Sequence, residues 1–311
     1  MDGLLVIDKA VDMTSHDVVA NTRRILKERR IGHTGTLDPF ATGVLLVLVG
    51  RATRLAQFLS GVDKEYDAII RLGFATDTGD RTGNRIPGPH GSADPSRRGR
   101  WSEEEIEQAL ASLRGWIDQV PPMYSAKKIG GKKLYELARR GEEVEREPVH
   151  VCIHEFEAIR PDGQLMKDNG DGTFDFHVRV VCSAGTYVRT LAEDFGKRLS
   201  VGAHLAELRR TRVGDFSVTN AVTLEQLKTS FGEEAIGTIL LPPGAALSRL
   251  PFVHLSADDV RRARNGMEVN VEETTWSDGA KVKMCDANDH LIAVGDYDAT
   301  TRRLHPSVVL A

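Results

Sequence analysis

Asp38 stands in the run His33-Thr34-Gly35-Thr36-Leu37-Asp38-Pro39-Phe40-Ala41-Thr42-Gly43-Val44-Leu45-Leu46, a carboxylate in a glycine-flanked loop that feeds an apolar strand. Pro39 fixes its own φ and biases Asp38 toward extended backbone, while Gly35 and Gly43 permit angles that a Cβ resists. Such a loop can aim one carboxylate into a cleft, where it serves as nucleophile or proton acceptor. The same residues equally suit an Asp-Pro turn, or a helix N-cap with proline at the first helical position. Residue chemistry alone leaves these readings open.

Other side chains are as ambiguous in isolation. Arg189 precedes Glu193 by one helical turn, which on spacing alone makes a surface ion pair. Tyr66 is a half-buried strand tyrosine, Tyr187 packs at a helix start, His33 is a polar loop residue and Leu208 belongs to a core. No second His or Cys stands at ligand spacing, so no metal site is expected there. Cys152, Cys182 and Cys285 are odd in number, far apart and without a CxxC spacing, which predicts buried thiols rather than a disulfide framework.

The elements that must position these residues follow from the hydrophobic pattern of a 311-residue chain, long enough for two domains, with 41% hydrophobic and 28% charged residues. Leu4 to Ile7 reads as a strand. Thr14 and Asp17 form a capping box for a helix with Val18, Val19, Thr22, Ile25 and Leu26 on its buried stripe. Leu45 to Val49 is a central strand, followed by a helix from about Thr53 to Leu59. Lys64 to Phe74 alternates as a strand with Tyr66, Ala68, Ile70 and Leu72 on one face. Residues 76 to 100 read as a loop that needs a partner to become ordered. Ser102 and Glu105 open a helix that Gly115 ends, 120 to 147 is an exposed lysine-bearing excursion, and Val149 to Ile159 and Phe174 to Cys182 are strands. A helix carries Leu191, Phe195 and Leu199. After a boundary at Leu241 to Pro251 come a helix Ala257 to Arg264, Gly266 and short alternating segments, which suggest a small β-barrel.

The formal net charge of −4 argues against indiscriminate nucleic-acid binding but not against a shaped RNA site. Cations cluster at Arg23-Arg24-Lys27-Arg29-Arg30, Arg97-Arg98-Arg100, Lys127-Lys128-Lys132-Lys133, Arg139-Arg140, Arg209-Arg210-Arg212 and Arg261-Arg262-Arg264. Each cluster can also be a solvated helix face. No run approaches the roughly 20 apolar residues of a membrane span, and no signal peptide is evident, so a cytoplasmic location is expected.

Taken together, the segments resemble one family in its own order. They are Gly3-Leu4-Leu5-Val6-Ile7-Asp8-Lys9, Thr14-Ser15-His16-Asp17-Val18-Val19, the His33 to Leu46 run, Asp63-Lys64-Glu65-Tyr66 and Thr76-Asp77-Thr78-Gly79-Asp80. Gln119-Val120-Pro121-Pro122-Met123-Tyr124-Ser125-Ala126, Cys182 to Leu191 and Gly202 to Thr211 follow. The chain is similar in these to the bacterial tRNA pseudouridine-55 synthase (TruB) family. Ala10 and Lys127 depart from the family pattern, where a proline and an aliphatic residue are usual.

The resemblance implies isomerisation of uridine to pseudouridine at position 55 in the T-loop of tRNA, by base flipping and a catalytic Asp, without metal or cofactor. Asp38, Tyr66 and Arg189 match the family's catalytic residues, and His33, Tyr187 and Leu208 its substrate contacts. Arg189 would then pair with Asp38, lowering its pKa and orienting it bidentately. Tyr66 would stack on the uracil and move the C5 proton. The implied fold is α+β: a mixed, largely antiparallel catalytic sheet with flanking helices over 1–245, with an RNA-gripping insertion at about 120–147. A small PUA-like RNA-binding β-barrel over 250–311 completes it. The implied partner is the T arm of tRNA, with no protein partner, no membrane and a monomeric state. The alternatives are a guide-RNA-dependent pseudouridine synthase, or an RNA-binding or tRNA-folding protein with secondary catalysis.

Overall fold

An uninterrupted apolar run such as Val44 to Val49 is stable as a strand only when both its faces are covered. The computed structural model, which describes residues 1–86, 101–125, 127–138, 140–142, 144–230, 236–272 and 275–310, covers them from two sides. The first segments are β1 (Gly3–Lys9), α1 (Ser15–Leu26), β2 (Ile31–Thr34) and β3 (Thr42–Val49). The capping box at Thr14 opens α1 as its spacing predicts. Leu5, Ile7, Leu45 and Val47 meet Val18, Val19 and Leu26 of α1, while Leu4, Val6, Val44, Leu46 and Leu48 face the other way.

A short 3-10 helix (Gly50–Leu55) leads into α2 (Ala56–Ser60), so the helix expected from Thr53 begins as the tighter form. β4 (Lys64–Leu72) buries Tyr66, Ala68, Ile70 and Leu72, the face its alternation predicts. The stretch after it corrects the reading of a partner-dependent loop. Residues 76–86 are tied to the chain itself, with Thr76 and Asp80 buried, while 87–100, including Arg97, Arg98 and Arg100, lie outside the described residues.

α3 (Glu103–Ala111) starts at the Ser102 capping box and ends before Gly115, which instead opens an edge strand, β5 (Gly115–Gln119). The excursion contains a hairpin of β6 (Lys128–Ile129) and β7 (Lys132–Lys133) and a short α4 (Leu134–Ala138) that buries Leu134 and Leu137. Ala126, Arg139 and Glu143 fall outside the described residues. β8 (Val149–Ala158), a two-residue β9 (Lys167–Asp168), β10 (Phe174–Cys182) and α5 (Val188–Arg198) follow.

The segment after α5 is β11 (Ala203–Val213), which pairs antiparallel with β4 and parallel with β3 and so joins the two halves of the sheet. Its charged residues hid it from the hydrophobic pattern. With β12 (Phe216–Ser217) the mixed sheet has ten strands, ordered β1-β3-β11-β4-β10-β8-β5 along its main path. α3 and α5 cover the β4, β10 and β8 portion through Ile106, Leu110, Leu191 and Phe195.

α6 (Leu224–Ser230) and α7 (Ile236–Ile239) then pack beside β1. The remainder comprises β13 (Phe252–His254), α8 (Ala257–Arg264), β14 (Val269–Asn270), β15 (Lys281–Cys285), β16 (Leu291–Asp298) and β17 (Arg303–Val309). These five strands are ordered β13-β15-β16-β17-β14, and β13 does not pair with β14 among the described residues, so the sheet is a curled half-barrel rather than a closed one. Cys285, Leu291, Val294, Val308 and Leu310 share a core with the second face of β1 and β3, and Arg51 Nη1 donates to Leu310 O at 2.9 Å.

Gly43 leaves no room for a side chain against the neighbouring strand. It lies opposite Arg210 on β11 with φ +101°, and a Cβ built there meets Arg210 O at 2.2 Å. Gly43→Ala therefore should lower stability by about 3 kcal/mol, read as a shifted urea midpoint with an unchanged slope. A shift within 0.5 kcal/mol, estimated as the usual size of an inert surface change, would mean that the parallel β3–β11 contact yields freely.

Candidate active site

The Asp38 loop is held at several points by side chains from elsewhere in the chain. Ala41 N–H donates to Asp38 C=O at 3.1 Å, closing a turn across Pro39 and Phe40. The plain turn reading of Asp-Pro and the presented-carboxylate reading are therefore both met, and no helix starts there. Lys9, 1% exposed at the end of β1, donates through Nζ to Met13 O at 2.7 Å, Ala10 O at 2.9 Å and Pro39 O at 3.2 Å. Burial lowers its pKa to about 8. Ser15 Oγ donates to Leu37 O at 3.1 Å and accepts from Leu37 N–H at 2.9 Å. Arg210 donates from Nε to Val44 O at 2.7 Å and from Nη2 to Gly35 O at 2.9 Å.

Arg189, the second residue of α5, meets the carboxylate this loop presents. Its Nε lies 2.9 Å from Asp38 Oδ2 and its Nη2 donates to Asp38 Oδ1 at 3.2 Å, a two-pronged pair. The same fork donates to Thr78 O at 3.0 Å and Tyr124 O at 2.8 Å, and Nη1 stands 3.8 Å from Asp80 Oδ2. The start of α5 is itself anchored by the buried Gln119, whose Oε1 accepts from Tyr187 N–H at 2.9 Å. The pairing that spacing alone favours, Arg189 with Glu193, is not made.

Asp38 departs from expectation in one respect. The side chain of Arg189 is 6% exposed and that of Asp38 33%, and burial raises the Asp38 pKa more than the Arg189 charge lowers it, with Asp80 adding to the rise. The guanidinium limits the upward shift instead of producing a net depression.

Asp38, Tyr66, Tyr187, Arg189 and Leu208 line one cavity of about 250 Å³. Asp38 and Arg189 also border a second chamber of about 540 Å³, lined further by His16, Thr78 and Tyr124. Tyr66 projects from β4 across from Arg210, and burial pushes its phenol up, as it does that of Tyr187. His33 is not among the residues lining either chamber. It sits on β2 edge-on to His16, ring centroids 5.5 Å apart, with its buried Nδ1 unpartnered and its pKa lowered by burial to about 4.

Lys9, Ser15, Lys64, Asp80 and Arg210 are the site-forming residues that pattern reading missed. All five are polar residues that the chain buries, and only their placement inside matched segments distinguishes them from surface positions. The basic clusters also divide. Arg209 pairs with Asp8 at 2.7 Å, Arg212 with Glu65 at 2.9 Å, and Arg210 is interior, so that run forms no basic face. Arg23, Arg24, Lys27, Arg29 and Arg30 are exposed at the end of α1, and Lys127 borders the smaller cavity.

Comparison with known proteins bears on the same residues. The family model described as TruB family pseudouridylate synthase (N terminal domain) matches residues 23–188, and that of the tRNA pseudouridylate synthase B C-terminal domain matches 189–248. The tRNA pseudouridine synthase B of Symbiobacterium thermophilum is 48% identical over 269 residues, 86% of this chain and 83% of the relative. That of Solibacter usitatus is 39% identical over 311 residues, the whole of both chains. Among solved structures, a Cbf5-Nop10-Gar1 complex is similar at TM-score 0.73 and 27% identity, covering 99% of this chain and 85% of the other. An H/ACA RNP bound to a substrate RNA containing 2'-deoxyuridine gives TM-score 0.72 at 25% identity, with the same coverage.

The Arg189 fork has a direct consequence for stability. Arg189→Leu leaves Asp38 and Asp80 facing each other without the cation and should cost about 3 kcal/mol at neutral pH by urea unfolding. The raised Asp38 carboxyl takes up a proton more readily folded than unfolded, so the loss shrinks as pH falls. A loss that grows on acidification would contradict this electrostatic account.

Proposed function

The chain belongs to the TruB family of pseudouridylate synthases, and from that membership we propose that it isomerises uridine to pseudouridine at position 55, in the T-loop of tRNA. The observation that carries the proposal is one carboxylate, Asp38, gripped in two bonds by Arg189 on the wall of a cavity of about 250 Å³ that it shares with Tyr66. The site excludes a duplex by size and suits one extruded nucleoside. Extrusion costs a few kcal/mol, offset by stacking and phosphate contacts.

In this reading Asp38 acts in its ionised form on the bound nucleoside, by attack or by proton abstraction, and the N-glycosidic bond breaks. The cavity detains the base while it turns, Leu208 and Tyr187 limiting its positions, and the base rejoins the ribose through C5. Tyr66 then removes the C5 proton. Arg189 holds the Asp38 oxygens in place and resists their protonation. His33, which does not line the cavity, is proposed to act on RNA outside the pocket or through His16.

The excursion at about 120–147 is proposed to grip the T arm, because it delivers Tyr124 and Lys127 to the site and its hairpin carries further lysines. We propose that 1–245 is the catalytic domain and 250–311 a PUA-like RNA-binding domain. A second reading, guide-RNA-dependent synthesis, has in its favour the likeness to the H/ACA RNP structure. The bacterial relatives that match at 39–48% identity weigh toward stand-alone action.

Release of tritium from C5-labelled uridine in unmodified tRNA tests the assignment. Asp38→Asn should bind tRNA within a few-fold of wild type and lose turnover by at least about 1,000-fold, the scale of a lost covalent or general-base group. Near-normal release would remove Asp38 from the reaction. A T-arm stem-loop alone should serve as substrate, and a requirement for a guide RNA would promote the second reading.

The pH profile is a separate test. Because burial holds the Asp38 carboxyl above its usual range and its ionised form is required, kcat/KM should fall on the acid side at a higher pH than an ordinary carboxylate would give. An acid limb at or below the ordinary carboxylate range would contradict that requirement.

A further inference from the structure

Among the described residues Arg210 is the largest fully buried side chain, 1% exposed, and it has no carboxylate partner there. Its neighbours in the same strand, Arg209 and Arg212, are each paired with an acid. An interior guanidinium satisfied only by the carbonyls of Val44 and Gly35 is costly, because carbonyl dipoles offset its charge less fully than a carboxylate does. A fully buried cation without a counter-ion suits a place where negative charge arises only during a reaction.

The group it faces is Tyr66. The two are cross-strand partners on β11 and β4, both line the cavity of about 250 Å³, and the guanidinium charge acts on the phenol in favour of its ionised form. We propose that Arg210 is a positioning residue for the reaction: its counter-ion-free guanidinium holds negative charge on the Tyr66 oxygen when that oxygen serves as the base that takes the C5 proton. This rests on the reading of Tyr66 given above.

The step balances without any added reagent. The phenol first loses its proton to water. The phenolate oxygen then takes the C5 hydrogen as a proton, the C–H electron pair returns to the ring and restores its conjugation, and Tyr66 ends as the phenol it began as. Arg210 cannot lose its own proton and so supports the charge without competing for it. The remaining charged and titratable groups about Tyr66 are Lys64 beside it on β4, Cys182 on β10 and Asp38 in its loop. Lys64 donates only to the carbonyls of Ser60 and Val62 and adds a second cation, whereas Asp38 opposes a phenolate. Cys182 is buried with its thiol pushed up to about 11 and stays neutral.

The test uses full-length protein, tRNA with C5-protonated or C5-deuterated uridine, and the variants Arg210→Met, Arg210→Lys, Tyr66→Phe and Tyr66→Phe/Arg210→Met, each checked for folding by thermal unfolding. Arg210→Met should lower kcat about 100-fold with KM within a few-fold, and the slowed reaction should acquire a deuterium effect larger than that of wild type. Arg210→Lys, which keeps the charge but loses the fork, should fall between and serves if the methionine variant does not fold. In the Tyr66→Phe background, removal of Arg210 should cost less than about 2-fold more, because the two act as one unit.

The inference is overturned if a folded Arg210 variant keeps wild-type kcat, if it slows turnover with no change in the deuterium effect, or if the two losses multiply. The failure of the underlying reading looks different. There Tyr66→Phe alone turns over normally, whatever Arg210 does.

Discussion

The Arg189 guanidinium is the interaction on which the site depends. It is almost wholly buried, and its donors go to Asp38, Thr78 and Tyr124, residues 151, 111 and 65 positions away along the chain. A charge in that position is tolerable only if nearly every N–H finds an acceptor, so the loop of Asp38, the turn of Thr78 to Asp80 and the base of the excursion must all be in place together. The geometry of the candidate site and its local stability are thus the same requirement. Loss of any one contact loosens the carboxylate and strands part of a buried fork.

A second constraint is the passage of β11 between the two halves of the sheet. Its parallel contact with β3 needs Gly43, and its antiparallel contact with β4 sets Arg210 beside Tyr66 and Leu208 beside Ala68. One strand therefore supplies a pocket wall, the cation opposite the tyrosine and the joint that brings the Asp38 loop and β4 into one cleft. The glycine is required where β3 runs against Arg210, and that point adjoins the site.

Charge follows the same logic. The chain as a whole carries −4, yet Lys9, Lys64, Arg189 and Arg210 gather about Asp38 and Asp80. Four cations beside two carboxylates leave a local excess of positive charge that the overall balance hides. Lys9 and Lys64 illustrate the cost: burial brings each down to a pKa of about 8, which nearby acidic groups, Asp38 for Lys9 and Asp63 for Lys64 among them, only partly oppose.

What could be read from residue order was what local forces decide. The capping boxes at Thr14 and Ser102 act within one turn, the buried face of β4 follows from alternation, and α8 spans Ala257–Arg264 as its pattern and flanking Gly266 predict. Family resemblance pointed to Asp38, Tyr66 and Arg189 together. Five of the six nominated site residues border one cavity, and His33 is not among its lining residues.

What only the tertiary structure decided was everything set by distant charge and burial. β11 escaped notice because Glu207, Arg209, Arg210 and Arg212 look like a surface until Asp8 and Glu65 are brought to two of them and the interior closes on a third. Arg189 chose Asp38 over the nearer Glu193, and Asp38 came out raised where a neighbouring guanidinium alone predicts the opposite. Spacing reports neighbours within a turn or a strand. Which charge is buried, and against what, depends on packing between segments more than a hundred residues apart.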